Sequence, residues 1–124
     1  MNFRKHVLST GRIVLAGKNA TSNDELVNAA SKKDIMLHTE ASGSPFANAG
    51  EDPTKKEIEE AAIFCARYSQ DWRDNKTDVL VKIFSRSSMH KDHTMDAGTW
   101  AVKDKETIKV KKSDILKFEK LEGN

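Results

Sequence analysis

The sequence predicts an α+β domain: a mixed, mostly antiparallel sheet with two helices packed on one face. Short runs that alternate apolar and polar residues, typical of half-exposed strands, recur along the chain. Two other segments have helical periodicity behind a capping box. With 124 residues and 37% hydrophobic content the chain can bury one core, so we expect residues 1–124 to form a single domain.

The N-terminal half is predicted to contain a hairpin, a short helix and two strands. HVLSTGRIVLAG gives two strand-like runs around a turn at Thr10-Gly11. SNDE, residues 22–25, has the pattern of a capping box that begins a helix. DIMLHTE predicts a strand in which His38 leaves the face that Leu37 occupies. SPFANAG then favours a strand at a sheet edge, or a strand start, because it contains a proline.

The C-terminal half is predicted to begin with one long helix. Thr54 and Glu57 form a capping box, and apolar residues recur at helical spacing as far as Trp72, so the sequence predicts a helix over residues 54–72. TDVLVKIFS is apolar on both sides, which is typical of a central strand. SSMHKDHTMDAG is polar and loop-like. Residues 101–124 are predicted as two or three short strands or a terminal hairpin.

Composition narrows the possible classes of protein. A formal net charge of +2 argues against a protein that binds duplex DNA over its whole surface, but allows a local basic patch. Cys65 is the single cysteine, which excludes an internal disulfide framework. The N-terminus lacks the apolar stretch of a signal peptide and no run approaches eighteen apolar residues, so we expect no membrane span and a cytoplasmic protein.

LHTEASGSPF, residues 37–46, raises the possibility of a hydrolytic triad. Ser42 or Ser44 would be the nucleophile. His38 would be the base and Glu40 would orient it. Side chains this close together along one strand and turn would alternate between its two sides, so they would not converge on one site. The surrounding sequence also lacks the Gly-x-Ser-x-Gly motif of a nucleophile elbow. The sequence therefore predicts no catalytic residue and no enzyme activity.

A metal site is the next candidate. His90 and His93 are three residues apart, and His38 and Cys65 could complete a tetrahedral set. HKDH, however, lies in a charged loop, and Cys65 lies on the buried stripe of the predicted helix, where a small core residue is expected. We therefore predict neither a metal nor a cofactor.

Two basic segments could contact phosphate. GKNATSND precedes a helix and could present backbone amides and Lys18 to an anion, although it lacks the spacing of a Walker loop. The pattern alone favours the other interpretation, a hairpin exit followed by a helix cap. Lys82, Arg86 and Lys91 are either a row that faces RNA or the solvated side of a strand and its loop.

Several segments together resemble one known family. GRIVLAGKNATSNDELV, DIMLHTEASGSPF, IEEAAIFCARYS and KTDVLVKIF resemble successive blocks of the NFACT RNA-binding domain, over roughly residues 10–100. The matching positions are Gly17, Asn19, Asn23, Asp24, Asp34, His38, Gly43 and Ser44.

The chain also departs from the pattern of that family. Met36 and Leu37 stand where family members commonly have aromatic residues, and Pro45 replaces a second histidine. Residues 96–98 keep only the glycine of a lysine-proline-glycine element.

The resemblance implies an RNA-binding module for tRNA or ribosomal RNA, linked to ribosome-associated quality control or RNA modification and possibly to the ribosome itself. It implies that the RNA-binding residues gather on one cationic rim: Lys18, Asn19, His38, Ser44, Lys82 and Arg86. The alternative is a protein-interaction adaptor whose edge strands and acidic helix face dock on a ribosome-associated or RNA-modifying partner. That face would comprise Glu57, Glu59 and Glu60.

Overall fold

The computed structural model describes residues 2–123, which form a six-stranded sheet, a two-stranded sheet, four α-helices and a short 3₁₀ helix, Arg86–Ser88. The strands are β1 (Arg4–Val7), β2 (Ile13–Ala16), β3 (Asp34–Thr39), β4 (Ala47–Glu51), β5 (Val79–Ser85), β6 (Met89–His90), β7 (Ala101–Val102) and β8 (Glu106–Val110). The helices are α1 (Ala20–Ala29), α2 (Lys55–Arg67), α3 (Gln70–Asn75) and α4 (Lys112–Glu122). The large sheet has the order β1-β2-β4-β3-β5-β8, and its neighbouring strands pair antiparallel. The predicted α+β class is confirmed.

The large sheet is covered on both faces. Val14, Leu37 and Val81 belong to the core cluster that also contains side chains of α2 and α4. Met36 and Phe84 belong to a second cluster with side chains of α1 and β6. The two helices that share a face are therefore α2 and α4, whereas α1 lies on the opposite face. Burial on both sides explains why the central strands are apolar at successive positions.

The predicted hairpin and central strand are confirmed. β1 and β2 pair on either side of the turn at Thr10-Gly11, and β5 lies between β3 and β8. The strand predicted after Gly43 is β4, which pairs with both β2 and β3 and is therefore internal rather than an edge. Pro45 lies two residues before β4 begins, so its missing N–H costs the sheet no hydrogen bond.

The capping box predicted at residues 22–25 is wrong because helix α1 begins earlier. Asn19, in extended conformation, is the N-cap, and its side-chain oxygen accepts a hydrogen bond from the amide of Ser22 at 2.9 Å. The hydroxyl of Ser22 accepts the return bond from the Asn19 amide at 3.0 Å. Ser22 thus takes the role in the third helical position that was expected for Glu25.

The single helix predicted over residues 54–72 is also wrong, although its capping box is confirmed. The helix ends at Arg67, and α3 begins after Ser69. The fully buried hydroxyl of Ser69 accepts a hydrogen bond from the amide of Trp72 at 3.2 Å and donates one to the carbonyl of Ala66 at 2.7 Å. A serine that caps a second helix and bonds back to the first therefore fixes the break, and Trp72 still reaches the core.

The C-terminal segment ILKFEK, predicted as a strand, is part of α4. Ile115 and Phe118 are three residues apart and pack against the core of the α2 face, a helical spacing that the strand interpretation overlooked. The carboxylate of Asp78 accepts a hydrogen bond from the amide of Lys112 at 2.8 Å, which satisfies the first turn of α4. Between residues 2 and 123, no helix has the length and apolar character that crossing a bilayer requires.

Candidate nucleic-acid interface

One end of the large sheet opens into a cavity of about 430 Å³ that we call the cationic groove. Here β2 and β3 end and β4 and β5 begin, so side chains from distant parts of the chain meet. The described residues that line it include four cations and no acidic side chain. The cations are Arg4, Lys18, Arg73 and Lys82. Five of the six predicted RNA-binding residues also line it: Lys18, Asn19, His38, Ser44 and Lys82.

His38 and Phe46 form the inner part of the groove, with ring centroids 4.5 Å apart. The Nδ1 atom of His38 lies 2.7 Å from the carbonyl oxygen of Thr39, which can only accept, so Nδ1 carries the proton. Burial lowers the pKa of His38 and the nearby charge of Lys82 lowers it further, although the hydrogen bond to Thr39 acts in the opposite direction. The ring is therefore neutral near pH 7, and Nε2 remains a hydrogen-bond acceptor.

Lys82 and Lys18 are the two predicted cations that the structure brings into the groove. Lys82 lies directly opposite His38 on the neighbouring strand. Within residues 2–123 it makes no hydrogen bond or ion pair. Lys18 is exposed, and its ammonium group donates a hydrogen bond to the side chain of Asn2 at 3.0 Å. The charge of Lys82 is therefore not neutralised by a carboxylate of the described chain.

The polar groups of Ser44 and Asn19 are largely committed to the protein itself. The buried hydroxyl of Ser44 donates to the carbonyl of Pro45 at 2.7 Å and accepts from the amide of Thr39 at 3.2 Å. The side-chain oxygen of Asn19 caps α1. Both residues line the groove. Their hydrogen bonds hold the backbone around the groove in place, so these polar groups are little available to a ligand.

Arg86, the sixth predicted residue, does not line the groove. Its Nε atom donates a hydrogen bond to the carbonyl of Val27 at 2.8 Å, which ties the turn after β5 to α1. The guanidinium carbon also lies 4.9 Å from the centroid of the Trp100 ring. Arg86 therefore contacts Trp100, which lines the groove, without lining the groove itself.

The groove contains residues that the sequence reasoning missed. Arg4 pairs opposite Ala16 in the hairpin, and its guanidinium lies 4.1 Å from the ring of Tyr68. The hairpin is symmetric about Thr10, so the position of Arg4 beside the end of β2 could have been inferred from the turn. Arg73 lies on α3, and Trp100 lies in the loop between β6 and β7. No local pattern in the sequence predicted their positions.

Gly17 and Asn23 fix the inner end of the groove. The side-chain oxygen of Asn23 accepts a hydrogen bond from the amide of Phe46 at 3.0 Å, and the amide of Gly17 donates to the carbonyl of Phe46 at 3.1 Å. A Cβ atom on Gly17 would lie 2.0 Å from that same oxygen of Asn23. Only glycine allows this close approach.

Asp24 fixes the outer wall. Its carboxylate accepts hydrogen bonds from the indole of Trp100 at 2.9 Å and the amide of Gly98 at 3.0 Å, and it pairs with Lys91 at 3.2 Å. Burial alone would raise the pKa of Asp24, but these hydrogen bonds and the charge of Lys91 outweigh it, so the pKa is lowered. Gly98 has φ +80, and a Cβ there would lie 3.0 Å from Ala20.

The groove does not have the geometry of the catalytic or metal sites considered from the sequence. The hydroxyl of Ser44 contacts Thr39, Pro45 and Cys65 rather than His38. Burial raises the pKa of the Cys65 thiol to about 12, although its contact with Ser44 acts in the opposite direction. Among residues 2–123, no three His, Cys, Asp or Glu side chains are grouped so that they could hold a metal ion.

A second cavity of about 660 Å³ lies between β1, α2 and α4. Its lining is largely apolar and carries charges of both signs, including Glu60, Asp114 and Glu122. None of the six predicted residues lines it. The acidic groups disfavour a polyanion there, so the cationic groove is the better candidate for nucleic acid.

The comparison with protein families assigns the chain. The family model of the NFACT protein RNA binding domain matches residues 2–104. The chain belongs to the NFACT RNA-binding domain family. The match includes every residue that lines the cationic groove. It begins earlier than residue 10, where the resemblance in sequence was placed, and it ends before β8 and α4.

Two relatives of this NFACT RNA-binding domain are informative. An archaeal Rqc2 homolog, aRqcH, from Methanocaldococcus jannaschii is 30% identical over 73 residues, which is 56% of this chain and 11% of that protein. The C-terminal part of a fibronectin/fibrinogen-binding protein from Streptococcus suis has the same fold, with a TM-score of 0.81 at 22% identity. That match covers 94% of this chain and 49% of the other. The chain thus spans only a part of both relatives.

Proposed function

We propose that the cationic groove binds RNA and that its ligand is tRNA or ribosomal RNA. The observation that carries this proposal is the convergence of four cations on a cavity with no acidic lining residue in the described chain. Phosphate groups supply most of the affinity in protein–nucleic acid complexes, and they require such uncompensated cations. The net charge of the whole chain is only +2, so the basic character is local to this end of the sheet.

Membership of the family supports an RNA ligand, and the relative named as an Rqc2 homolog supports a place in ribosome-associated quality control. A role in RNA modification is the other setting compatible with a small RNA-binding module. In either setting the chain would act in the cytoplasm and would position RNA for a ribosomal or enzymatic partner. The groove would contribute binding and no catalytic step.

Binding of tRNA and of a ribosomal RNA fragment, measured by fluorescence anisotropy over a range of salt concentrations, tests the proposal. If four phosphates are contacted, the logarithm of the association constant should fall against the logarithm of salt with a slope of about −3. Lys82→Ala should weaken binding and make this slope shallower by about 0.7–0.9.

A matched control is Lys56→Ala. Lys56 carries the same charge as Lys82 and is exposed, but it lies near the start of α2, whereas the groove is lined by Tyr68, the residue that follows the last residue of this helix. Its replacement should leave the affinity and the slope unchanged. Absence of RNA binding even at low salt would end the proposal, and equal effects of the two variants would move the site elsewhere.

The alternative function as a protein adaptor rested partly on an acidic face of α2, and much of that face is occupied within the protein. Glu57 is buried and pairs with Arg12 at 3.2 Å. Glu60 accepts hydrogen bonds from the amide and hydroxyl of Ser9 at 2.9 and 2.8 Å. Both glutamates hold the hairpin loop against α2, which leaves Glu59 as the exposed member. A protein pull-down that survives nuclease treatment would favour the adaptor function.

A further inference from the structure

We propose that the cationic groove receives an unpaired nucleotide from a loop or strand end of the RNA, rather than the side of an RNA duplex. This inference rests on the proposed function and specifies the kind of RNA structure that the groove recognises. Three features carry it: the concave shape of the groove, the placement of its cations and the aromatic surface inside it.

The shape of the groove suits a single protruding base. A cavity of about 430 Å³ falls in the range of about 300–1,000 Å³ that encloses small ligands. An RNA duplex presents a convex surface of phosphates and 2′-hydroxyls, and proteins contact it across extended surfaces that span many base pairs. A depression at one end of a sheet matches a nucleotide that has left the stack.

The cations that line this depression come from four different segments of the chain. Arg4 comes from β1, Lys18 from the turn before α1, Lys82 from β5 and Arg73 from α3. Phosphates along the side of a duplex would require cations spread over an extended face. Cations around a cavity can contact the phosphates on both sides of one inserted nucleotide while its base enters.

Aromatic side chains supply the surface on which a base could stack. Met36 and Leu37, which stand where aromatic residues are common in the family, are both fully buried on opposite faces of the sheet and cannot contact RNA. The groove is instead lined by the partly exposed rings of Tyr68 and Trp100, whereas Phe46, which also lines it, is itself buried. A positively charged groove with aromatic side chains is the usual arrangement for binding single-stranded nucleic acid.

Neutral His38 adds a directional contact. Its Nδ1 proton is donated to the carbonyl of Thr39, so Nε2 can accept a hydrogen bond from an exocyclic amine or a 2′-hydroxyl. The exocyclic amine on the pairing edge of a base is accessible in an unpaired nucleotide and is occupied by pairing in a duplex, whereas a 2′-hydroxyl is accessible in both.

The test compares three RNAs with the full chain at low salt: a stem-loop, a blunt duplex with the same stem sequence, and a single strand with the loop sequence. We expect the stem-loop and the single strand to bind at least about tenfold more tightly than the duplex, as loss of one base–aromatic stack would cause. Trp100→Leu keeps an apolar side chain on the wall and should weaken the two unpaired RNAs by a similar factor without weakening the duplex.

Tryptophan fluorescence gives an independent measurement. Trp100 is partly exposed in the groove, whereas Trp72 is fully buried. The single strand should quench the emission of the wild type, and Trp100→Phe should remove this quenching while its circular dichroism stays that of a folded protein. Equal affinity for the duplex and the unpaired RNAs would overturn the inference and leave RNA binding intact. Failure of all three RNAs to bind would overturn both.

Discussion

Replacement of Gly17 by alanine should destabilise the protein far more than the addition of one methyl group to a loop suggests. The added Cβ would lie 2.0 Å from the side-chain oxygen of Asn23 and 2.9 Å from its Cα atom. Rotation of the Asn23 side chain can relieve the clash with its oxygen. The Cα atom, however, belongs to the backbone of the first turn of α1 and cannot move in this way. Rotation would also break the hydrogen bond from the Phe46 amide to Asn23.

The size of the effect follows from these two contributions. Overpacking in a well-packed site costs about 1–3 kcal/mol. A buried amide that loses its partner costs about 1–3 kcal/mol. Gly17→Ala should therefore lower the free energy of unfolding by about 2–6 kcal/mol, a large part of the ~5–15 kcal/mol typical of a domain.

Gly11→Ala is the matched control. Gly11 has φ +91, but a Cβ there meets no atom within 4 Å, so its replacement introduces backbone strain alone, about 1–2 kcal/mol. Urea denaturation followed by the fluorescence of buried Trp72 measures both variants. Asn23→Ala should cost about 1–3 kcal/mol, less than Gly17→Ala, because it removes the bond to Phe46 without the overpacking. If Gly17→Ala costs no more than Gly11→Ala, the close packing of Gly17 against Asn23 does not hold the groove in the way inferred here.

Three further predictions concern other parts of the structure. Asp24→Ala should lower the free energy of unfolding by about 1–2 kcal/mol, since Trp100 loses its acceptor, and should also weaken RNA binding in the anisotropy assay. Hydrogen bonds from Thr10 and the Thr54 amide lower the pKa of Glu57 from 4.5 to about 2, so its stabilising contribution is present above pH 4.5 and is lost as the pH falls toward 2. The midpoint of urea denaturation, measured between pH 2 and 6, should therefore fall as the pH is lowered. Glu57→Gln should make this fall smaller. Ser69→Ala, which removes the cap of α3, should cost about 0.5–2 kcal/mol by the same denaturation assay.

The parts of the fold that the sequence predicts well are those determined by neighbouring residues. The β1–β2 hairpin follows from alternation around Thr10-Gly11, and the start of α2 follows from the capping box of Thr54 and Glu57. The errors arose where a local pattern had two interpretations. Ser69 lies inside a continuous helical stripe, and only its bonds to Ala66 and Trp72 end one helix and begin the next.

The candidate site was predictable in part for a related reason. Lys18, Asn19 and His38 are placed by strand ends and a helix start, which the sequence marks. Trp100 reaches the same groove through a hydrogen bond to Asp24, 76 residues earlier in the chain. Nothing in the local sequence around a loop tryptophan indicates which distant carboxylate it will meet.

The residues that carry the family resemblance are mainly those that shape the groove. Gly17 and Asn23 position Phe46, and Asp24 positions Gly98 and Trp100. The chain keeps these residues although it lacks the aromatic pair at positions 36 and 37, which are sealed within the sheet. Since those two positions face the core, their change to Met and Leu alters packing and leaves the groove surface as it is. The sequence match therefore reports the architecture of the groove, and under the proposed function the residues that would choose an RNA are the cations and rings around it.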